Sequence, residues 1–248
     1  MSKVAERAPS PQVTGRPRRS VASVAQGVVI AIGFVMLVGG FGVIAADYRP
    51  YKIPSASMTP TLGIGDTVLA RKAGGDAVGR GDIVVFHDDA WGNSQLVKRV
   101  VGVGGDTVTG DDRGRLTVNG KPVDEPYLDK NPVLATAFTV TVPEGRLFVL
   151  GDDRGNSLDS RSHLDVASGS VPASGVVARV EARIVPLSRA AAQPRTVAFD
   201  GLGGPLAHRP GPLVPAAWAT VIGAALIVLA SAAGGVVSLG RRIGKRRG

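Results

Sequence analysis

The sequence predicts a mostly β, exported domain carried between two transmembrane α-helices. Three observations lead there. Residues 20–46 and 210–240 contain no charged side chain, and each run exceeds the roughly 20 apolar residues that cross a hydrocarbon core as a helix. Between them lie short Val-rich segments, alternating in part and bounded by Gly, Asp and Pro, which is a strand pattern. The net charge, finally, sits at the two ends of the chain.

Residues 1–19 form a basic tail with five Lys/Arg and one Glu, and residues 241–248 a second with five Lys/Arg and no acid; together they carry the whole net charge of +9. The remainder has 19 basic and 19 acidic side chains. No basic groove that tracks phosphates is therefore expected, and nucleic acid is set aside as a partner. Basic flanks on both apolar runs place both termini in the cytoplasm by the positive-inside rule, with the segment between them on the extracytoplasmic face of the cell membrane and the lipid bilayer as a partner. The first helix is expected at 20–46, too long for the apolar region of a cleaved signal peptide, which runs to about 15 residues. The second is expected at 213–240, where Ala, Gly and Ser suit close helix packing.

Residues 47–187 are long enough to bury a core of their own. Strands are expected at 65–72, 81–88, 95–103, 138–142, 146–152 and 176–185, with a hairpin over 115–123 whose Asn119-Gly120 pair predicts a two-residue type I′ turn. No amphipathic helix stands out. Residues 188–212, dense in Pro, Gly and Ala, read as a tether to the second helix. There is no cysteine, which excludes a disulfide framework, a thiolate nucleophile and a Cys-ligated metal.

Just after the first helix stands IPSASMTPTL, residues 53–62. A serine hydroxyl there is a weak nucleophile until something takes its proton. The three histidines, His87, His163 and His208, lie respectively at a strand end beside two aspartates, after a charged turn, and in the tether; spacing alone does not exclude a triad built with one of them. A lysine can replace histidine if burial removes its charge. Lys98, within QLVKRVVGV, has the apolar neighbours that requires. In a strand Lys98 and Arg99 face opposite ways, so that one can turn into a core while the other reaches water or a carboxylate.

Five stretches, taken in order, resemble the bacterial type I signal peptidases, membrane-bound serine proteases of the actinobacterial kind when a second helix is present: PSASMTPTL (54–62), GDIVVF (81–86), VKRVVGVGGD (97–106), VNGKPVDEPYL (118–128) and GDDRGNSLDSR (151–161). The resemblance implies Ser57 as nucleophile and Lys98 as general base. It implies Ser55 as an oxyanion donor with the Ser57 N–H, Ser157 as the group that hydrogen-bonds and orients the amine, and Ile53, Pro54, Leu62 and Val97 as walls of the substrate pockets. Asp159 and Arg161 would form an ion pair bracing the loop that carries Ser157, with Asp152 and Arg154 as further structural support. Gly155, Gly104 and His163-Leu164 depart from the family's usual residues. The implied reaction is removal of signal peptides from exported preproteins, emerging from the secretion machinery, after small residues at −1 and −3. No cofactor and no metal are implied. Two other readings remain at this point: a self-cleaving Ser/Lys peptidase related to SOS-response repressors, which residues 20–46 argue against, and a catalytically dead membrane-tethered scaffold.

Overall fold

The computed structural model describes residues 21–92, 94–129, 136–208 and 211–244. The basic tail 1–19 and the last residues of the second tail, 245–248, lie outside them. The chain divides into two compact units, one made of the helical segments up to Gly39 and from Ala219, the other of Gly40–Trp218.

In the helical unit, α1 (Val21–Asp47) and α2 (Leu213–Gly244) are uncharged over lengths sufficient to cross a membrane. Their backbones touch: a Cβ on Gly33 would stand 2.8 Å from the Gly223 carbonyl, and one on Gly223 would stand 2.5 Å from Leu37 N. Small residues at such a crossing let dispersion and Cα–H contacts hold helices together where apolar burial gives no advantage over lipid. The Gln26 amide donates to the Ala230 carbonyl at 3.0 Å, so the one amide side chain of α1 is satisfied between helices.

Among the described residues, the second unit has twelve strands. In chain order they are β1 (Tyr48–Lys52), β2 (Thr67–Lys72), β3 (Ile83–Phe86), β4 (Leu96–Val103), β5 (Thr107–Gly110), β6 (Leu116–Val118), β7 (Lys121–Pro122), β8 (Phe138–Thr141), β9 (Arg146–Leu150), β10 (Val171–Pro172), β11 (Val176–Val185) and β12 (Ala191–Ala192). A large antiparallel sheet runs β1-β2-β11-β3-β4-β9-β10, with β12 added to β11; a small one runs β7-β6-β5-β8. Every expected strand is present. The hairpin turn forms at Asn119 and Gly120, both at positive φ (52° and 75°), as a type I′ turn requires.

Two core layers set the frame of the domain. Ile53, Met58 and Leu62 pack with Val68, Ile83, Val85 and Val180, so the apolar residues of IPSASMTPTL anchor that loop on the large sheet. Val101, Phe148 and Leu150 meet Val108, Leu116 and Val118 of the small sheet, and Phe199 completes that cluster. Phe199 belongs to the segment expected as a tether, and the structure corrects that expectation. The segment is a strap laid on the domain: Phe199 is 1% exposed, Arg80 donates to the Gly203 carbonyl at 2.6 Å, and Arg80 and Leu206 form a β-bridge. Isolated anchors need no periodicity, so a Pro/Gly-rich composition concealed them.

Candidate active site

Backbone hydrogen bonds from Ile53 N to Asp66 O (2.8 Å), Gly65 N to Ile53 O (2.9 Å) and Leu62 N to Met58 O (2.8 Å) fix the loop after β1. They leave Ser57 beside β4, where Lys98 pairs with Val84 of β3. Lys98 Nζ lies 2.6 Å from Ser57 Oγ. The lysine is 4% exposed. Burial pushes its amine below the ordinary lysine range, against the charges of Asp159 and Asp152, which favour the ammonium. Both carboxylates are occupied by guanidinium groups: Arg99 Nε and Nη2 donate to Asp152 at 2.9 and 2.6 Å, and Arg161 Nε and Nη2 to Asp159 at 2.9 and 2.8 Å. A neutral amine in contact with a hydroxyl is the arrangement that can activate a serine.

The other expected residues take varied places around this pair. Ser55 Oγ is 3.3 Å from Ser57 Oγ. Ile53, Pro54 and Val97 line a groove of about 240 Å³ that ends at Ser57 and Lys98. Leu62, expected in that wall, is instead fully buried in the core. Its side chain anchors the loop from below, and Met58, Tyr51, Val85 and Leu96 are among the other residues of the lining. Ser157, expected to hydrogen-bond the amine, does not: its Oγ is enclosed and has no hydrogen-bond partner among the described residues. It crowds Gly151 from the same side as the Ser57 carbonyl, since a Cβ on Gly151 would meet the two at 2.2 and 2.4 Å. Only glycine fits there. The supporting residues Asp152 and Arg154 take separate partners: Asp152 pairs with Arg99, and Arg154 with Glu125 at 2.5 and 2.8 Å.

None of the histidines supplies a base. His87 faces Asp89, His208 faces Asp82, and His163 stacks on Trp91 with ring centroids 4.4 Å apart.

Sequence reasoning missed three groups. Thr61 donates to Asp152 Oδ2 at 2.5 Å, Tyr127 lies under the Arg99 guanidinium at 3.9 Å, and Glu125 accepts from both Tyr127 and Arg154. Two of the three stand in VNGKPVDEPYL, a stretch whose resemblance assigns no role to Glu125 or Tyr127.

A β domain with a hydroxyl and a buried amine in contact at the end of an apolar groove has the architecture of a serine endopeptidase. The signal peptidase family, peptidase S26, matches residues 22–185. The chain belongs to that family, whose members are serine endopeptidases known for removing signal peptides. It is 40% identical to signal peptidase I U of Bacillus subtilis (strain 168) over 49% of this chain and 69% of that one. It is 34% identical to signal peptidase I of Mycobacterium tuberculosis (strain H37Rv), over 57% and 66% of the two chains. A signal peptidase I structure from Enterococcus faecalis V583 aligns at 33% identity and a TM-score of 0.34, covering 40% of this chain and 93% of its own.

Proposed function

We propose that this chain cleaves signal peptides from exported preproteins by acyl transfer to Ser57, with Lys98 as general base. The observation that supports it is the 2.6 Å approach to the Ser57 hydroxyl of a buried amine whose proton affinity burial lowers. Ser57 Oγ attacks the carbonyl carbon of the scissile peptide while Lys98 Nζ takes its proton. The oxyanion receives hydrogen bonds from the Ser57 N–H and the Ser55 hydroxyl. Lys98 passes the proton to the departing amine, which leaves as the new N-terminus of the mature protein. Water then attacks the Ser57 ester with Lys98 again as base, and the signal peptide leaves as a carboxylic acid.

The groove bounded by Ile53, Pro54 and Val97 fits an extended peptide with small side chains at −1 and −3, and a larger side chain at either position would overlap its walls. Residues 47–187 form the catalytic domain on the extracytoplasmic face, with residues 20–46 and 213–240 in the membrane, the tails 1–19 and 241–248 in the cytoplasm, and substrates arriving from the secretion machinery. Ser57 comes ten residues after the end of α1, so extended chain bounds its distance from that end at roughly 36 Å.

Cleavage of a preprotein whose signal ends in Ala-X-Ala, by detergent-solubilised wild type, Ser57→Ala and Lys98→Met, tests the chemistry. Wild type alone should cut, after the second Ala, with the product N-terminus sequenced. Equal cleavage by all three would sink the assignment. Labelling of a cysteine placed near Gly114 from the cytoplasmic side would reverse the topology.

A further inference from the structure

The motif VNGKPVDEPYL sends Glu125 and Tyr127 to the far side of the strand that carries Lys98. Arg99, next to Lys98 in β4, points away from the groove and is buried. Its guanidinium is held on several sides at once. Nε and Nη2 grip both oxygens of Asp152, Nη1 donates to the Gly81 carbonyl at 2.9 Å, and the Tyr127 ring covers one face of the plane at 3.9 Å. From Tyr127 the contacts continue around a closed path. Its hydroxyl donates to Glu125, Glu125 accepts from Arg154, and Arg154 Nε donates at 3.0 Å to the Gly151 carbonyl, next in the chain to Asp152.

This circuit touches the site at two places. Thr61, from the Ser57 loop, donates to Asp152 Oδ2. The Asp153 N–H donates to the Ser57 carbonyl at 3.0 Å. Tyr127 is not among the residues that line the groove.

We propose that Tyr127 is a positioning residue for the peptidase reaction: as the aromatic floor of Arg99 it holds the Arg99–Asp152 pair closed, and with it the alignment of Lys98 on Ser57. The inference rests on the Ser57/Lys98 reading above. Its electrical side comes from the same contacts. Asp152 and Asp159 are the carboxylates that face Lys98 and favour its ammonium, and Arg99 and Arg161 offset them. If the ring is removed, water reaches the guanidinium, the pair loosens, and the less compensated Asp152 charge strengthens proton binding at Lys98. Tyr127 itself stays a neutral phenol, because burial and the Glu125 charge hold its proton well above the ordinary range.

The test is the pH dependence of kcat/KM for preprotein cleavage by the full chain in detergent, with Tm measured alongside. Tyr127→Leu should lose about tenfold in kcat near neutrality with KM changed by less than about twofold, and its acid limb should move about 0.5–1 pH unit upward. Tyr127→Phe keeps the ring and should leave the limb in place. Pentafluorophenylalanine incorporated at position 127 keeps the ring's shape while removing its negative face, so it should shift the limb even if the leucine variant fails to fold. A lower Tm with an unmoved limb in both the leucine and fluorinated variants would reduce Tyr127 to packing and overturn the proposal. Ser57-dependent cleavage with that unmoved limb overturns the role of Tyr127 alone. Cleavage that survives Ser57→Ala overturns the dyad as well.

Discussion

Lys98 and Arg99 are neighbours in one strand, both buried, and burial has opposite outcomes for them. Desolvation disfavours charge on each. At Arg99 the Asp152 charge and its two hydrogen bonds outweigh that, and the guanidinium is held charged more firmly than in water. At Lys98 the nearby carboxylates are already taken up by arginines, and burial prevails, lowering the amine's affinity for its proton. Alternation along β4 separates a structural cation from the proposed general base by a single residue.

Lys98→Met tests this through stability. Because the folded state lowers the affinity of Lys98 for its proton, the unfolded chain binds more protons, and the lysine opposes folding at every pH below its unfolded value of about 10.4. The wild type's stability should rise with pH from the lowered folded value up to the unfolded one, with the cost constant below that range, and Lys98→Met should remove the contribution. The inactive variant is therefore expected to have the higher Tm near neutrality, with the gap closing toward pH 10. Paired thermal unfolding at several pH values reads this, and a gap independent of pH would refute the account.

Ser55→Ala removes a hydroxyl 3.3 Å from the proposed nucleophile. If that hydroxyl meets the oxyanion, kcat should fall about 10²- to 10³-fold with KM little changed, and Ser55→Thr should recover part of it. Steady-state kinetics on a preprotein decide it. An alanine variant within about threefold of wild type would leave the Ser57 N–H to act without Ser55.

Glu125→Ala leaves Arg154 buried without its carboxylate, both side chains being 6% exposed. Removing one partner of such a pair typically costs about 3–5 kcal/mol. Denaturant unfolding should show that loss, whereas replacing both residues by apolar ones of similar size should cost much less. Equal losses in the single and double variants would mean that the pair matters through packing.

Phe199→Ala asks whether the strap belongs to the domain. The ring is fully enclosed with Val101, Leu116 and Phe148, so truncation should destabilise by about 3–5 kcal/mol. Limited proteolysis should then cut between residues 188 and 212 before the sheet opens. A neutral substitution would return the segment to the status of a spacer.

The main strands are legible in the sequence because Val-rich segments punctuated by Gly and Asp carry their own signal, as GDIVVF and RLFVLGD do. The short strands at 48–52, 107–110, 171–172 and 191–192 are not, since two to five residues without a marked pattern acquire strand geometry only from their neighbours. At the site, the candidate pair Ser57 and Lys98 is singled out by the resemblance, since the apolar setting of Lys98 suits an edge strand equally well. Leu62 faces the core where the resemblance implies a substrate wall, because an apolar residue beside a nucleophile looks the same in sequence whichever side of its loop it takes. The partners of Asp152 and Arg154 cannot be read either: Arg99 and Glu125 lie 53 and 29 residues away from them, and only the fold chooses among carboxylates.

Thr61, Arg99 and Asp152 meet at one carboxylate, and the separations involved, 91 and 53 residues, set when that meeting happens. Contacts between distant positions come after the chain has closed long loops, a late and slow event in folding. A chain made from its N-terminus presents Ser57 long before residues 151–161 exist. Until they arrive, Thr61 lacks Asp152 and the Ser57 carbonyl lacks the Asp153 N–H. On the proposed reading, the contact that would activate Ser57 is therefore complete only once the whole domain has folded.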